Sequence, residues 1–223
     1  MGDNMSVKLV SITKSMIDAP MTSLPTAESL IAYIARVSNP AGQMNDETAP
    51  RLLGYLIKNK HWSPFELAHM TVEIKTSRAI AQQILRHRSF SFQEFSQRYA
   101  KATEFVTYPA RRQDVKNRQN SIDDLPKATK SYFEVLQEEV QELANTNYNT
   151  ALELGIAKEQ ARFLLPLSTA TTLYMSGTIR SWIHYIQLRA DVATQLEHRE
   201  IAEGIKAIFV EQFPCTSEAL CWK

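Results

Sequence analysis

Between residues 86 and 98 the chain reads Arg-His-Arg-Ser-Phe-Ser-Phe-Gln-Glu-Phe-Ser-Gln-Arg. Arg86, Arg88 and Arg98 bring guanidiniums, His87 an imidazole, Ser91 and Ser96 hydroxyls and Glu94 a carboxylate, with Phe90, Phe92 and Phe95 between them. A guanidinium is a planar fork of donors that matches phosphate oxygens two at a time. Guanidinium and phenyl planes also stack on flat rings. Phosphate binders and ring binders in one short run point to a nucleotide-type ligand. An isolated Arg-His-Arg reads better as a basic turn over buried rings, but Gln82 and Gln83 before the run and Tyr99 after it extend the polar pattern.

Other groups with chemistry lie elsewhere. His61-Trp62-Ser63-Pro64-Phe65-Glu66 is a polar-aromatic loop that reads equally as a buried-ring loop or as a lip over a ring-shaped ligand. Arg162, Arg180 and Arg189 stand at helix ends beside apolar runs, and a guanidinium drawn into such surroundings needs an anionic or strongly accepting partner. The five histidines include no H-E-x-x-H and have no acidic partners at ligand spacing, so no metal site is expected. There is no G-x-S-x-G elbow, G-x-G-x-x-G or P-loop among the six glycines. Those modes of phosphate binding are not signalled, and the arginine cluster is the obvious place for a local anion site.

With 25 basic and 24 acidic residues the net charge is +1, which gives no field to hold a nucleic-acid polymer. A 223-residue chain with 44% hydrophobic residues can bury a real core. Its two cysteines, Cys215 and Cys221, make no disulfide framework, and no stretch reads as a leader or a membrane span. A cytoplasmic setting (a host's, for a viral protein) is the expectation.

The elements that must position these groups follow from periodicity. Strands are expected over 7–12, over 70–75, where Met70, Val72 and Ile74 alternate with Thr71, Glu73 and Lys75, and over 168–176. Helices are expected over 26–37 with Thr26 as cap after a proline loop, over 47–60, over 78–85 with Ser77 as cap, over 157–165, over 179–188 and over 193–213. The longest helix, 126–154, ends at Gly155 and carries a stripe of Tyr132, Phe133, Leu136, Val140 and Leu143 that is core or an oligomer seam. Residues 90–100 read as an irregular strand and 109–126 as an exposed connection. Neighbours two apart on a helix point different ways, so Arg86 and Arg88 serve different groups unless the helix has already ended. With no clear boundary, the reading is one α+β domain over 1–223, with a mixed or antiparallel sheet and several long helices.

These residues closely resemble the flavin-dependent thymidylate synthases. The family signature R-H-R-x-x-S-x-x-x-x-S-x-R is met at every fixed position by Arg86, His87, Arg88, Ser91, Ser96 and Arg98. Arg36-Val37-Ser38, His61 with Phe65-Glu66, Gln83, Ala161-Arg162, Leu165-Pro166-Leu167 and Leu188-Arg189-Ala190-Asp191 extend the match along nearly the whole chain. The resemblance implies reductive methylation of dUMP to dTMP. Methylenetetrahydrofolate gives the carbon, FAD carries hydride and NADPH is the reductant. It also implies a homotetramer with shared sites. By motif position it assigns FAD to Ser38, His61, Ser63, Glu66, Arg86, His87, Arg88, Glu94, Thr178, Ile179, Arg180 and His184. It assigns dUMP to Gln83, Arg86, Glu94, Phe95, Ser96, Gln97, Arg98, Arg162 and Arg189, with Arg162 reaching the phosphate from a neighbouring chain. Arg189 is the expected catalytic group: a cation fixed against uracil favours the N3-deprotonated ring and an electron-rich C5–C6 edge. Ser96 lacks an adjacent base and is assigned to positioning. Two alternatives stay open, a methyltransferase using Cys215 or Cys221 and a nucleotide- or RNA-binding module built on the arginine cluster.

Overall fold

The computed structural model describes residues 5–17, 26–102 and 104–222. In chain order it contains β1 (Ser6–Ile12), α1 (Thr26–Ala35), α2 (Ala49–Lys58), β2 (His69–Ser77), α3 (Arg78–Ile84), β3 (Ser91–Glu94), β4 (Arg112–Gln113), β5 (Ser121–Ile122), α4 (Lys127–Glu153), α5 (Lys158–Ala161), β6 (Ala170–Thr178), α6 (Ile179–Arg189), α7 (Leu196–Gln212) and α8 (Pro214–Ala219). The main sheet runs β1-β2-β6-β3, every neighbouring pair antiparallel, and β4 and β5 form a small separate ribbon. The fold is α+β, as expected, with an antiparallel rather than mixed sheet. The proline loop and the Thr26 side chain expected to cap α1 lie outside the described residues.

One face of the sheet carries the core. Met70, Val72 and Ile74 of β2 and Leu173 and Met175 of β6 are fully buried against helices, while Thr71, Glu73, Tyr174 and Ser176 keep to the other face. There Thr71 Oγ1 donates to Ser176 Oγ at 2.9 Å and the Tyr174 hydroxyl to Glu73 at 2.8 Å, cross-strand pairs that pin the register. Trp182, Phe65, Phe209 and Phe213 fill the space under the helices. Trp182 satisfies its indole N–H on the Met70 carbonyl at 2.9 Å.

Two features tie the chain ends and the helix ends. Glu28 on α1 is fully buried, and its carboxylate accepts from Thr216 N and Thr216 Oγ1, both at 2.6 Å, and from Cys215 N at 3.3 Å. It thereby closes the first turn of α8. α4 ends as expected at Gly155, whose φ of 81° is open to glycine; Gly155 N donates to Leu152 O at 3.0 Å and Ile156 N to Ala151 O at 2.9 Å.

One expectation narrows and another changes. The α4 stripe is not core within this chain: Tyr132 is 64% and Leu143 63% exposed, with Phe133, Leu136 and Val140 also open. The 109–126 stretch is not wholly an exposed connection. It folds back as the β4–β5 ribbon and sends Arg111, 12% exposed at its side chain, onto the buried Glu197 of α7.

Gly177 is where the sheet and the ring cluster come closest. A Cβ there would stand 2.4 Å from Phe90 Cδ1, and the Phe90 ring already leans on Trp182 at 4.6 Å. Gly177→Ala must push Phe90 out of place, at a cost of about 1–3 kcal/mol. A lowered Tm in a thermal melt checks this.

Candidate functional site

The site is built by two strand-to-helix units placed head to tail. β2 passes directly into α3 and β6 directly into α6, and the register pairs His69 with Thr178 and Ser77 with Ala170. The two helices therefore start at opposite ends of the strand pair. Each start is fixed by a hydroxyl: Ser77 accepts from Ile80 N at 3.5 Å and from the Tyr108 hydroxyl at 2.6 Å, and Thr178 accepts from Ser181 N at 3.1 Å. Paired strands of this length span roughly 30 Å, and the two helices together cover about 27 Å at 1.5 Å per residue. Their C-terminal ends meet. α3 has ended at Ile84, so Arg86, His87 and Arg88 leave it on a turn, and α6 delivers Arg189. Cations suit both ends, where helix carbonyls lack partners.

At the meeting point Arg189 Nε donates to His87 Nε2 at 2.9 Å. His87 must then be a neutral acceptor there, its proton on Nδ1. Burial, Arg189 and His184 together push its pKa down to about 4. Beneath it the Tyr185 ring stands edge-on at 4.8 Å, and the Tyr185 hydroxyl meets His198 Nε2 at 3.0 Å. Burial, Arg189 and His87 lower His198 to about 3, and burial raises Tyr185.

Open clefts surround this junction. One of about 680 Å³ is walled by Trp62, Glu66, Thr178, Arg180 and His184, with Lys60 and Ser89 at its edges. It gathers four of the expected FAD residues with the indole of the expected lip. Arg180 pairs with Glu66, to which Thr178 Oγ1 also donates at 3.4 Å; both charged side chains are substantially exposed, so the pair is weak and open to exchange. A second cleft, about 420 Å³, is lined by Gln82, Gln83, Arg86, Leu167 and Arg189. A third, about 260 Å³, joins Arg78, Gln97 and Arg162. Gln97 is 7% exposed, and its Nε2 has no hydrogen-bond partner among the described residues. A buried amide donor left this way beside two guanidiniums is built for an acceptor from outside. Arg86 and Arg88 likewise have no carboxylate partner among the described residues.

The remaining expected residues are placed as follows. Glu94 accepts from Arg78 at 2.8 Å and from Thr171 Oγ1 at 3.0 Å, so it orders the third cleft from behind. Arg98 pairs with Glu159 at 3.3 Å, and Arg162 Nε donates to the Glu159 carbonyl at 3.2 Å, which sets those two guanidiniums on one surface. Phe95 is half-exposed beside them, and Ser96 Oγ accepts from Arg98 N at 3.4 Å. Ser63 opens the short 3-10 turn of the lip, and His61 is exposed against the Tyr55 ring at 5.9 Å. Ser38 is exposed on the turn after α1 and lines none of these clefts. The Ile179 side chain lies fully in the core, and its N–H is taken by the Ala68 carbonyl at 2.9 Å. Sequence reasoning missed Arg78, Tyr185, Gln195, Glu197 and His198. The available signal was Glu197-His198 on a face of α7 that is otherwise apolar.

The fold is similar to that of a solved nucleotide methylase. The structure matches that of the UMP/dUMP methylase PolB from Streptomyces cacaoi bound with 5-Br dUMP with a TM-score of 0.83 and 26% identity, covering 99% of this chain and 96% of that one. Residues 21–215 match the family described as thymidylate synthase complementing protein. The chain is 56% identical over 219 residues to a probable flavin-dependent thymidylate synthase of Paramecium bursaria Chlorella virus 1, covering 98% of this chain and 100% of the relative. It is 54% identical over 218 residues to the flavin-dependent thymidylate synthase of a Synechocystis strain, with the same coverage of 98% and 100%. This chain belongs to the flavin-dependent thymidylate synthase family.

Buried His198 and half-buried His87 set an acid limit. An unfolded histidine takes up its proton near 6.5, but His87 resists until about 4 and His198 until about 3. In that window the unfolded chain binds more protons, so stability is intact above pH 6.5 and is lost as pH falls. Tm should drop between pH 6.5 and 4, with a shallower slope in His198→Asn, read by melts across the range.

Proposed function

We propose that this protein is a flavin-dependent thymidylate synthase that converts dUMP to dTMP, taking the carbon from methylenetetrahydrofolate and reducing equivalents from NADPH through FAD, without a cysteine nucleophile. The observation that carries the reading is the Arg189–His87 bond, which fixes one guanidinium on the wall of the second cleft. The chemistry of the donor set fits FAD in the cleft of about 680 Å³: Trp62 offers a flat wall, Lys60 and Arg180 offer cations to a pyrophosphate, and Arg88 adjoins Ser89 of the same wall. Bound there, the flavin supplies hydride transfer.

The chain's own residues do the rest. Gln83, Arg86 and Arg189 receive the pyrimidine nucleotide, Gln97 and Arg98 its phosphate, and Arg162 reaches that phosphate from a neighbouring copy of the chain. Arg189 spends its Nε on His87 and keeps its terminal nitrogens for the ligand. Held against the uracil, it stabilises negative charge on the ring and enriches the C5–C6 edge. Glu94, held by Arg78 and Thr171, keeps the third cleft in shape. Ser96 positions the ligand.

Neither cysteine lines these clefts. The Cys215 thiol is pushed up to about 11 by burial, then by the Glu28 and Glu218 carboxylates, so it stays protonated at neutral pH. The homotetramer is part of the proposal. The open stripe on α4 is apolar surface that a lone chain leaves in water, and association of copies would bury it.

Purified protein should be yellow, and dUMP should stimulate its NADPH oxidation. Arg189→Ala should lower kcat for dTMP formation by about a hundredfold, whereas the Cys215→Ser, Cys221→Ser double variant should retain activity. A colourless protein, or activity lost with the cysteines, rejects the reading. Light scattering should give four times the 25.4 kDa of one chain. Leu136→Glu with Leu143→Glu should reduce that mass.

A further inference from the structure

Below the second cleft, one line of hydrogen bonds runs from α6 to the β4–β5 ribbon. Tyr185 OH meets His198 Nε2 at 3.0 Å, His198 Nδ1 meets Gln83 Oε1 at 3.3 Å, Gln83 Nε2 donates to Gln195 Oε1 at 2.7 Å, and Gln195 Nε2 donates to Glu197 Oε2 at 2.9 Å. Arg111 closes the line on the other oxygen of Glu197. Its direction follows from its end. Glu197, paired with a guanidinium that keeps its proton, is a carboxylate and only accepts. Gln195 must therefore turn its NH2 to Glu197 and its oxygen to Gln83. Gln83 must turn its NH2 to Gln195 and its oxygen to His198. His198 must donate from Nδ1, and its Nε2, then bare, accepts from Tyr185. Every donor points the same way, an arrangement in which neighbouring bonds polarise one another.

We propose that His198 is a positioning residue of the substrate cleft: by donating to Gln83 Oε1 it fixes that amide so that its remaining N–H is presented beside Arg86 and Arg189 to an acceptor oxygen of the ligand. The inference rests on the pyrimidine nucleotide reading above. His198 is fully buried and lines none of the clefts, so it acts only through Gln83. The rings of His87, Tyr185 and His198 lie against one another, so the same cluster that holds Arg189 also orients Gln83.

The test is calorimetric titration of the FAD-loaded enzyme with dUMP, alongside steady-state dTMP formation. His198→Leu leaves Gln83 free to turn, and Kd and KM for dUMP should rise about tenfold while kcat at saturating dUMP changes little. His198→Asn retains an N–H near the Nδ1 position and should restore most of the affinity. Equal losses in the two variants, or wild-type affinity in His198→Leu, overturn the proposal. If His198→Leu does not fold, Tyr185→Phe carries the test, because losing the hydroxyl leaves His198 Nε2 without its donor and the imidazole held from one side only. Affinity for dUMP should then fall severalfold with flavin content intact, and unchanged affinity overturns the proposal. Wild-type enzyme that binds no dUMP overturns both this inference and the function beneath it.

Discussion

A guanidinium that cannot lose its proton donates to an imidazole that must not gain one. That bond, from Arg189 to His87, joins the ends of α3 and α6 and fixes a guanidinium on the wall of the second cleft. It exists only because two helices of the right length start from opposite ends of one strand pair. Ser77 and Thr178 set those starts, and the β2–β6 register sets the distance between them. A one-residue slip would turn the buried side chains of β2 to solvent and carry the arginines apart together. Fold and site are therefore constrained by the same pairing.

The neutral state of His87 is maintained from several sides. Partial burial is the largest cause, and the neighbouring cation adds to it. The rings below do structural work at the same time. Phe90, Trp182 and Tyr185 meet edge to face at 4.6–5.8 Å, and Phe90 sits over the one strand position where any side chain would intrude. Edge-to-face contacts are directional as well as apolar. They turn a general core into a fixed platform for groups that need fixed geometry.

Much of this could be read in the residues. Alternation over Met70–Ile74 gave a strand with the correct buried face, the Ser77 hydroxyl announced α3, and Gly155 ended α4 through the backbone freedom the pattern implied. The arginine-rich run was legible because phosphate chemistry demands those side chains at close spacing. Other features depend on partners distant in sequence. Arg111 looked like solvated polarity, and only the return of the ribbon to α7 brings it to Glu197. His198 gave no signal alone, since its role comes from Tyr185 and Gln83, which lie 13 and 115 residues away. Ile179 shows a different limit. Its position matches a motif, but a position does not say whether side chain or backbone is offered, and this side chain is in the core.

The cap that Glu28 provides to α8 links the first described helix to the last. Until residues 214–216 arrive, the Glu28 carboxylate faces an apolar interior with none of the three donors it will accept from. Seating α1 without them strands a charge, and such stranded ions cost several kcal/mol, roughly the stability of a whole domain. A chain still being synthesised thus has reason to keep α1 undocked until residues 214–216 have been made.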